Sequence, residues 1–412
     1  MAKLISVATA LAAISDAANP MGLQTVPLAE LDGYVLAEDA FAKTTLPPLD
    51  ASAMDGYAVK LEAHHKQGSQ FTQIGESPAG NPFPGTVGAD ETVRIFTGGA
   101  VPDGANHVIM QENISTGSGA DGNTITLTEP ISPASHIRKA GIDFSEGQMI
   151  VPAGTKLDAY AIALLAAANH GSAQVYKRPK VALIANGDEL VEPGSTLHTG
   201  AVVSSNPSGL APLIKAWGAE PVFAGISSDD PDAIKAQIAA CADADILVPI
   251  GGASVGDRDY MRPVFAELGY AKIFEKVAVK PGKPVWFGTM PRQESPQYVL
   301  GLPGNPASAL VTAHVFLKAL IDQLINIAEP SNTYTNARVT HPMKAAAWRA
   351  EYIRAHAAID DNGVVQVTAI PRQDSSILTP FLTANCFLVR NPEAPALEPG
   401  DTAKIMPIKM LG

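Results

Sequence analysis

Two stretches decide the fold: Val181-Ala182-Leu183-Ile184-Ala185-Asn186-Gly187-Asp188-Glu189-Leu190 and Ile246-Leu247-Val248-Pro249-Ile250-Gly251-Gly252. Each is a short apolar run that breaks off into glycine and polar residues. Neither run alternates, so each reads as a strand covered on both faces, as inside a parallel sheet. The neighbouring segments have helical patterns. Residues 206–217 end at Gly218, residues 230–240 start with Asp230 as cap and Pro231 in the first turn, and 261–268 and a long 307–325 follow. Further strands are predicted at 221–225, 285–288 and 298–302. Strands alternating with helices over 178–329 predict a mainly parallel α/β sandwich, with ligands beyond the carboxyl ends of its strands.

The pattern changes on both sides of this unit. Upstream, residues 51–136 are rich in Gly and Pro, with short alternating runs at 92–96, 107–111 and 124–128 and a loop at 115–122. They predict a small β-rich unit. Residues 33–41 read as a strand, and 158–168 as a helix capped by Asp158. Downstream, 331–412 return to strands at 352–356, 364–369, 386–390 and 402–408, which predict a small β domain of barrel type. The opening residues, 1–19, fit both a signal-peptide apolar region and an amphipathic helix with Leu4, Val7, Leu11 and Ile14 on one face.

Composition narrows the function. The chain has 412 residues and 46% hydrophobic content, enough for three or four packed units. Its net charge of −12 excludes a nucleic-acid binder acting through the whole molecule. Two distant cysteines, Cys241 and Cys386, exclude a disulfide framework and a zinc ribbon and fit a reducing compartment. No uncharged apolar run approaches the ~18–20 residues of a membrane span; the best is 159–168.

Six motifs have polar residues where a ligand could meet them. SAMDGYAV (52–59) contains an Asp-Gly turn and Asp55. FTGGAVP (96–102) ends a strand in Thr97 and two glycines, whose N–H groups suit an anion or simply a turn. NGDEL (186–190) places Asp188 and Glu189 at a strand's ligand edge, where acids suit a hard cation or a helix dipole. GGASVGDRD (251–259) leaves the second buried strand with glycines and Ser254, a loop that admits close approach of phosphate. KVAVKPGKP (276–284) sets three lysines in an acidic chain. Read as one strand, it puts Lys276 and Lys280 on the same face, ~13 Å apart, serving an oxyanion or forming a solvated edge. GLPGNP (301–306) is a strand-to-helix turn. The nine histidines are scattered and read as structural.

Taken in order, these motifs resemble the molybdopterin molybdenumtransferase family, the bacterial MoeA proteins and the gephyrin E domain, along essentially the whole chain. The resemblance implies a multidomain α/β plus β protein. Residues 1–46 and 137–177 would form a mixed α/β N-terminal domain, 47–136 an inserted β-rich domain, 178–329 the mainly parallel molybdopterin-binding domain, and 330–412 a β-barrel-like C-terminal domain. It implies a homodimer with the cleft between subunits. It also implies insertion of molybdate into adenylylated molybdopterin with release of AMP, Mg²⁺ as cofactor, and action in the cytoplasm, so that 1–19 is a helix. Molybdopterin adenylyltransferase and other proteins of the cofactor pathway would be partners, with no nucleic acid and no membrane.

The family's catalytic positions fall on Asp55, Thr97, Glu189, Asp259, Lys276 and Lys280, and its metal-binding acids on Asp55, Glu189, Asp229 and Asp259. Substrate contacts fall on Gly251, Gly252, Ser254, Gly256, Lys283, Pro303, Gly304 and Asn305, with Arg354 and Ser375 in the tail. The chain departs from the family at Asn186, where Thr or Ser is usual, at Ala253 and at Asp374. Competing readings are the adenylyltransferase that shares the 178–329 fold, a non-catalytic scaffold, and a tungstate-preferring variant.

Overall fold

The computed structural model describes residues 4–117, 123–251, 260–293, 295–328 and 333–411. At its centre four parallel strands lie in the order Glu220–Ser227, Lys180–Asn186, Ile246–Ile250 and Gln297–Gly301. Trp286–Met290 and Ala271–Glu275 extend the sheet as an antiparallel pair. Both faces are covered, which explains the unbroken apolar runs. Val181, Leu183 and Val248 pack with Leu210, Ile214 and Val311 on one side. Ala182, Ile184 and Leu247 pack with Ile234, Ile238 and Val264 on the other. Each such fully buried aliphatic side chain contributes about 1.5–3 kcal/mol of transfer free energy.

The long helical segment is built of Pro306–Thr312, a π-helical turn Ala313–Leu317, and Lys318–Leu324. Among the described residues Pro306–Leu324 is the one helix long and apolar enough to cross a membrane, but 78% of that stretch is buried inside the protein. Its apolarity is that of a core helix.

Residues 7–17 are helical, with the Ser6 hydroxyl accepting the Thr9 N–H. Ala10 and Ile14 join the core of the central sheet. The helix therefore packs with the 178–329 unit, although the domain scheme placed it with 1–46. The mixed N-terminal unit is made by Leu23–Pro27 against Ser172–Tyr176 and Ala40–Phe41 against Met149–Val151, with helix Ala159–Ala167 capped by Asp158. The expected strand over 33–41 is broken. Gly33 has a φ of +73°, Val35 and Leu36 make single bridges, and pairing resumes only at Ala40.

The β-rich unit is a six-stranded sheet in the order His107–Met110, Gly56–Val59, Glu91–Ile95, Gln70–Ser77, Thr124–Leu127, Ile114–Thr116. Gln70–Ser77 escapes the sequence reading because polar residues and Gly75 dilute its pattern. Ile114–Thr116 pairs where a loop was expected to begin; residues 118–122 of that loop lie outside the described residues.

In the C-terminal region Ala350–Ile359, Val365–Ala369, Thr335–Val339, Thr402–Pro407 and Cys386–Arg390 pair in sequence, and the last closes on the first as a five-stranded barrel. Val279–Lys280 adds to Ala350–Ile359, setting Lys280 opposite Glu351. This corrects the single strand expected over 276–280. Lys276 lies in the left-handed region at φ +61° and Val277 bridges Ile5, so only Val279–Lys280 is strand.

Candidate active site

A cleft of about 730 Å³ lies at the carboxyl ends of the parallel strands. Asn186, Ile250 and Gly251 come to it from two strand exits, and Pro303, Gly304 and Asn305 from the turn after a third. Glu189 and Asn206 complete one wall, and Ser376 of the C-terminal region reaches in from the other side. Thus Glu189, Gly251, Pro303, Gly304 and Asn305 are brought together as expected. Gly251 is at φ +97°, and a Cβ on Gly304 would stand 3.5 Å from the Gly251 Cα. Backbone forms this floor, and side chains would fill it.

The turn at Asn305 is tied across domains. Asn305 Nδ2 donates to Ser375 Oγ at 2.9 Å, and the Ala307 N–H to Ser375 O at 3.0 Å. Ser375 thus docks the tail loop onto the helix start. Arg354 holds that loop from inside. It is 1% exposed, and its Nη1 and Nη2 donate to Ile377 O and Asp374 O at 2.7 and 2.9 Å. Gln373 is clamped to it, accepting from the Arg354 N–H and Nε and donating to Arg354 O. Arg354 therefore positions the tail loop. Its guanidinium is bonded to the Gln373 side-chain oxygen and to the Asp374 and Ile377 carbonyls.

The acids share an electrostatic field. Asp188 Oδ1 accepts the Asp229 N–H at 3.0 Å. Burial, then the charge of Asp188 and more weakly that of Glu189, push the Asp229 carboxyl above the usual carboxylate range. Asn186, where the family has a hydroxyl, donates from Nδ2 to Ser227 O and Ser228 O and so fixes the loop leading to Asp229. Sequence reasoning singled out Asp188 as a candidate cation ligand but not as the acceptor of the Asp229 N–H, and it missed Asn206. Asn206 Nδ2 donates to Gly304 O at 2.8 Å, and among the described residues its buried Oδ1 has no donor. Only its place at a helix start beside the ligand edge could have signalled it. Gly252, Ser254, Gly256 and Asp259 lie outside the described residues.

Asp55 and Thr97 make a second constellation. Asp55 Oδ1 accepts the Thr97 N–H at 2.7 Å and the Thr97 hydroxyl at 2.8 Å. These bonds, the N–H first, hold the exposed carboxyl below its usual range. Gly56 is required because a Cβ there would meet Ile109 O at 2.1 Å. Neither Asp55 nor Thr97 lines the cleft of its own chain, and of the lysine segment only Pro284 does. Lys280 Nζ is bonded to Glu351 Oε1 at 2.9 Å, while Lys283 is exposed.

Among the described residues, the set of three metal-type ligand atoms within 4.8 Å of one another is His64, His65 and Asp90. His65 Nδ1 accepts the Glu62 N–H and its Nε2 faces Asp90 Oδ1 at 3.1 Å, so neither ring nitrogen has a lone pair to offer. Both cysteines are buried, which pushes the Cys386 thiol up to about 12 and the Cys241 thiol up as well. Neither suits a nucleophile.

Fold and cleft define a multidomain α/β protein that offers a ligand a glycine-lined floor at the carboxyl edge of a parallel sheet. Residues 5–169 match the MoeA N-terminal region (domain I and II), 182–323 a probable molybdopterin binding domain, and 336–408 the MoeA C-terminal region (domain IV). A molybdopterin molybdenumtransferase of Haemophilus influenzae is 34% identical over 394 residues, 95% of each chain. One of Nostoc sp. is 38% identical over 311 residues, 74% of this chain and 70% of that one. The crystal structure of the molybdopterin biosynthesis moeA protein from Pyrococcus horikoshii superposes with a TM-score of 0.82 at 27% identity, over 98% of this chain and all of that one. The chain belongs to the MoeA family.

Proposed function

We propose that this chain is a molybdopterin molybdenumtransferase, inserting molybdate into adenylylated molybdopterin and releasing AMP, with Mg²⁺ required, as a homodimer in the cytoplasm. The observation that carries the reading is the cleft, where the Gly251 exit, the Pro303–Gly304–Asn305 turn and Glu189 converge at the edge where parallel sheets bind ligands. Its floor leaves backbone within reach of a phosphate, and the Asn305–Ser375 bond ties the floor's turn to the C-terminal tail. Asn206 Oδ1, fixed by the Nδ2 bond to Gly304, is an acceptor aimed by its own helix.

Asp188, Glu189 and Asp229 are acids of the kind that Mg²⁺ takes as ligands, directly or through water. Asp229 is pushed up by burial first and then by the like charge of Asp188 and, more weakly, of Glu189, and a hard divalent cation near these oxygens would offset that charge. Bound there, Mg²⁺ would offset phosphoanhydride charge as AMP leaves. Asp259 joins this set in the proposal by resemblance. Asp55, held by Thr97, and the lysines Lys276, Lys280 and Lys283 are assigned to the same reaction centre, Asp55 being supplied by the partner subunit. An oxyanion arriving beside Lys280 would compete with Glu351 for its ammonium. Molybdopterin adenylyltransferase would deliver the substrate.

The test is incubation with adenylylated molybdopterin, molybdate and Mg²⁺, with AMP and inserted metal measured separately. The expected result is stoichiometric AMP and metal, both dependent on Mg²⁺. AMP release without metal insertion, or neither product, would sink the assignment.

A further inference from the structure

A second concavity lies at the opposite end of the central sheet. It encloses about 570 Å³ between Gln24 and Tyr34 of the N-terminal unit, Lys177 and Arg178 of the crossing chain, and Lys215 and Glu220 of the central unit. Arg178 stands just before strand Lys180–Asn186, and Glu220 begins strand Glu220–Ser227. Both are amino ends of parallel strands, whereas the cleft is at the carboxyl ends. The notch is thus separate from the proposed reaction centre.

Its charge runs against that of the molecule. Three cationic side chains line it against one carboxylate, in a chain of net charge −12. Lys177 and Lys215 are exposed, and among the described residues neither is in an ion pair. Arg178 is preset. Its guanidinium carbon lies 3.9 Å from the centre of the Tyr34 ring, Nη2 donates to Asp32 O at 2.6 Å, and among the described residues the buried Nε has no acceptor. A buried donor without an acceptor is a cost that a bound oxyanion would remove. Lys156, its Nζ on Ala216 O, interacts with the charge of Arg178. Burial, then the charges of Lys318 and Arg178, push its ammonium below the usual range, although Asp322 and Asp32 act against this.

We propose that this notch binds a small phosphate-bearing anion of at least two negative charges, with Arg178, Lys177 and Lys215 as its cationic contacts. A guanidinium flanked by two unpaired ammonium groups suits a phosphate dianion or pyrophosphate. One face of the Tyr34 ring is already covered by Arg178, and recognition rests on the phosphate. Such a ligand bridges the N-terminal and central units and raises the melting temperature of the full chain.

The test titrates inorganic pyrophosphate into the full-length protein by calorimetry at low ionic strength without Mg²⁺. Wild type, Lys177→Glu/Lys215→Glu and Lys276→Ala/Lys280→Ala are compared. The two charge reversals are at exposed positions, and a melt without anion checks that the fold survives. The expected result is binding by wild type and by the 276/280 variant, weakened at least tenfold in the 177/215 variant. No binding by wild type at millimolar concentration, equal affinity in the 177/215 variant, or loss only in the 276/280 variant would each overturn the proposal. AMP with the same variant dependence would support it through an ester phosphate. Citrate binding as tightly as pyrophosphate would overturn the preference for phosphate.

Discussion

Arg354 and Asp229 show how a single side chain acts through its surroundings. The Arg354 fork reaches three carbonyl or amide oxygens of the tail loop from a fully buried position. Arg354→Ala should cost about 3 kcal/mol, and Arg354→Lys most of that, because a lysine cannot make the fork. Urea denaturation gives the cost, and hydrogen exchange over 370–377 should rise in both variants. Unchanged exchange there would remove the positioning role. Asp229 behaves oppositely. Its folded carboxyl lies above the ordinary value, so its contribution to stability is full below that value and is lost as pH rises through the raised one. At neutral pH it is a burden, and Asp229→Asn should raise the melting temperature without Mg²⁺ and abolish any rise that Mg²⁺ produces. A lower melting temperature in the variant would contradict the crowding of these acids.

Elements add constraints that no residue has alone. His314 sits in the π-helical turn with its ring edge-on to Trp217 and Phe387, at 5.2 and 5.6 Å. Burial, with a smaller push from Lys318, lowers its imidazole to about 4. The unfolded chain takes up this proton near the ordinary value of about 6.5. Stability should therefore fall as pH drops from about 6.5 toward about 4, by up to ~3 kcal/mol. His314→Gln should flatten that part of the profile in chemical denaturation, and an unchanged slope would show that other groups cause it. Gly282 is a second such element. It has φ +108°, and a Cβ there would lie 2.1 Å from Thr312 Cγ2 on the long helix. Gly282→Ala should cost about 2 kcal/mol or more, and adding Thr312→Ser should recover part of it by removing the clash while leaving the backbone strain. Full additivity in urea denaturation would show that the clash is not the cause.

At the scale of the whole molecule, Asp55 and Thr97 are not among the described residues that line the cleft of their own chain. If two subunits exchange them, inactive Asp55→Ala and inactive Lys280→Ala chains should complement each other when refolded together. A heterodimer then has one site with both lesions and one with none, so an equimolar mixture should regain about a quarter of wild-type turnover. Light scattering should report a dimer throughout. A mixture as inactive as its parents would place both residues in one subunit's site.

The sequence by itself determined the central sheet, its ligand edge and the family. Unbroken apolar runs at 181–184 and 246–250 allow little but a doubly covered strand, and Gly251 and the Pro303–Gly304–Asn305 turn follow from backbone needs written locally. Asp158 and Asp230 were legible as caps for the same reason, since a cap bonds within its own first turn. Contacts between distant segments were not legible. Lys280 faces Glu351 only because a stray strand joins the barrel, and Arg354 turns inward only because the 373–377 loop closes over it. Arg178 meets Tyr34 across 144 positions of chain only where two units abut. Local periodicity specifies which face of an element is buried; which neighbour covers that face is set by tertiary packing, and with it the partner of every charge.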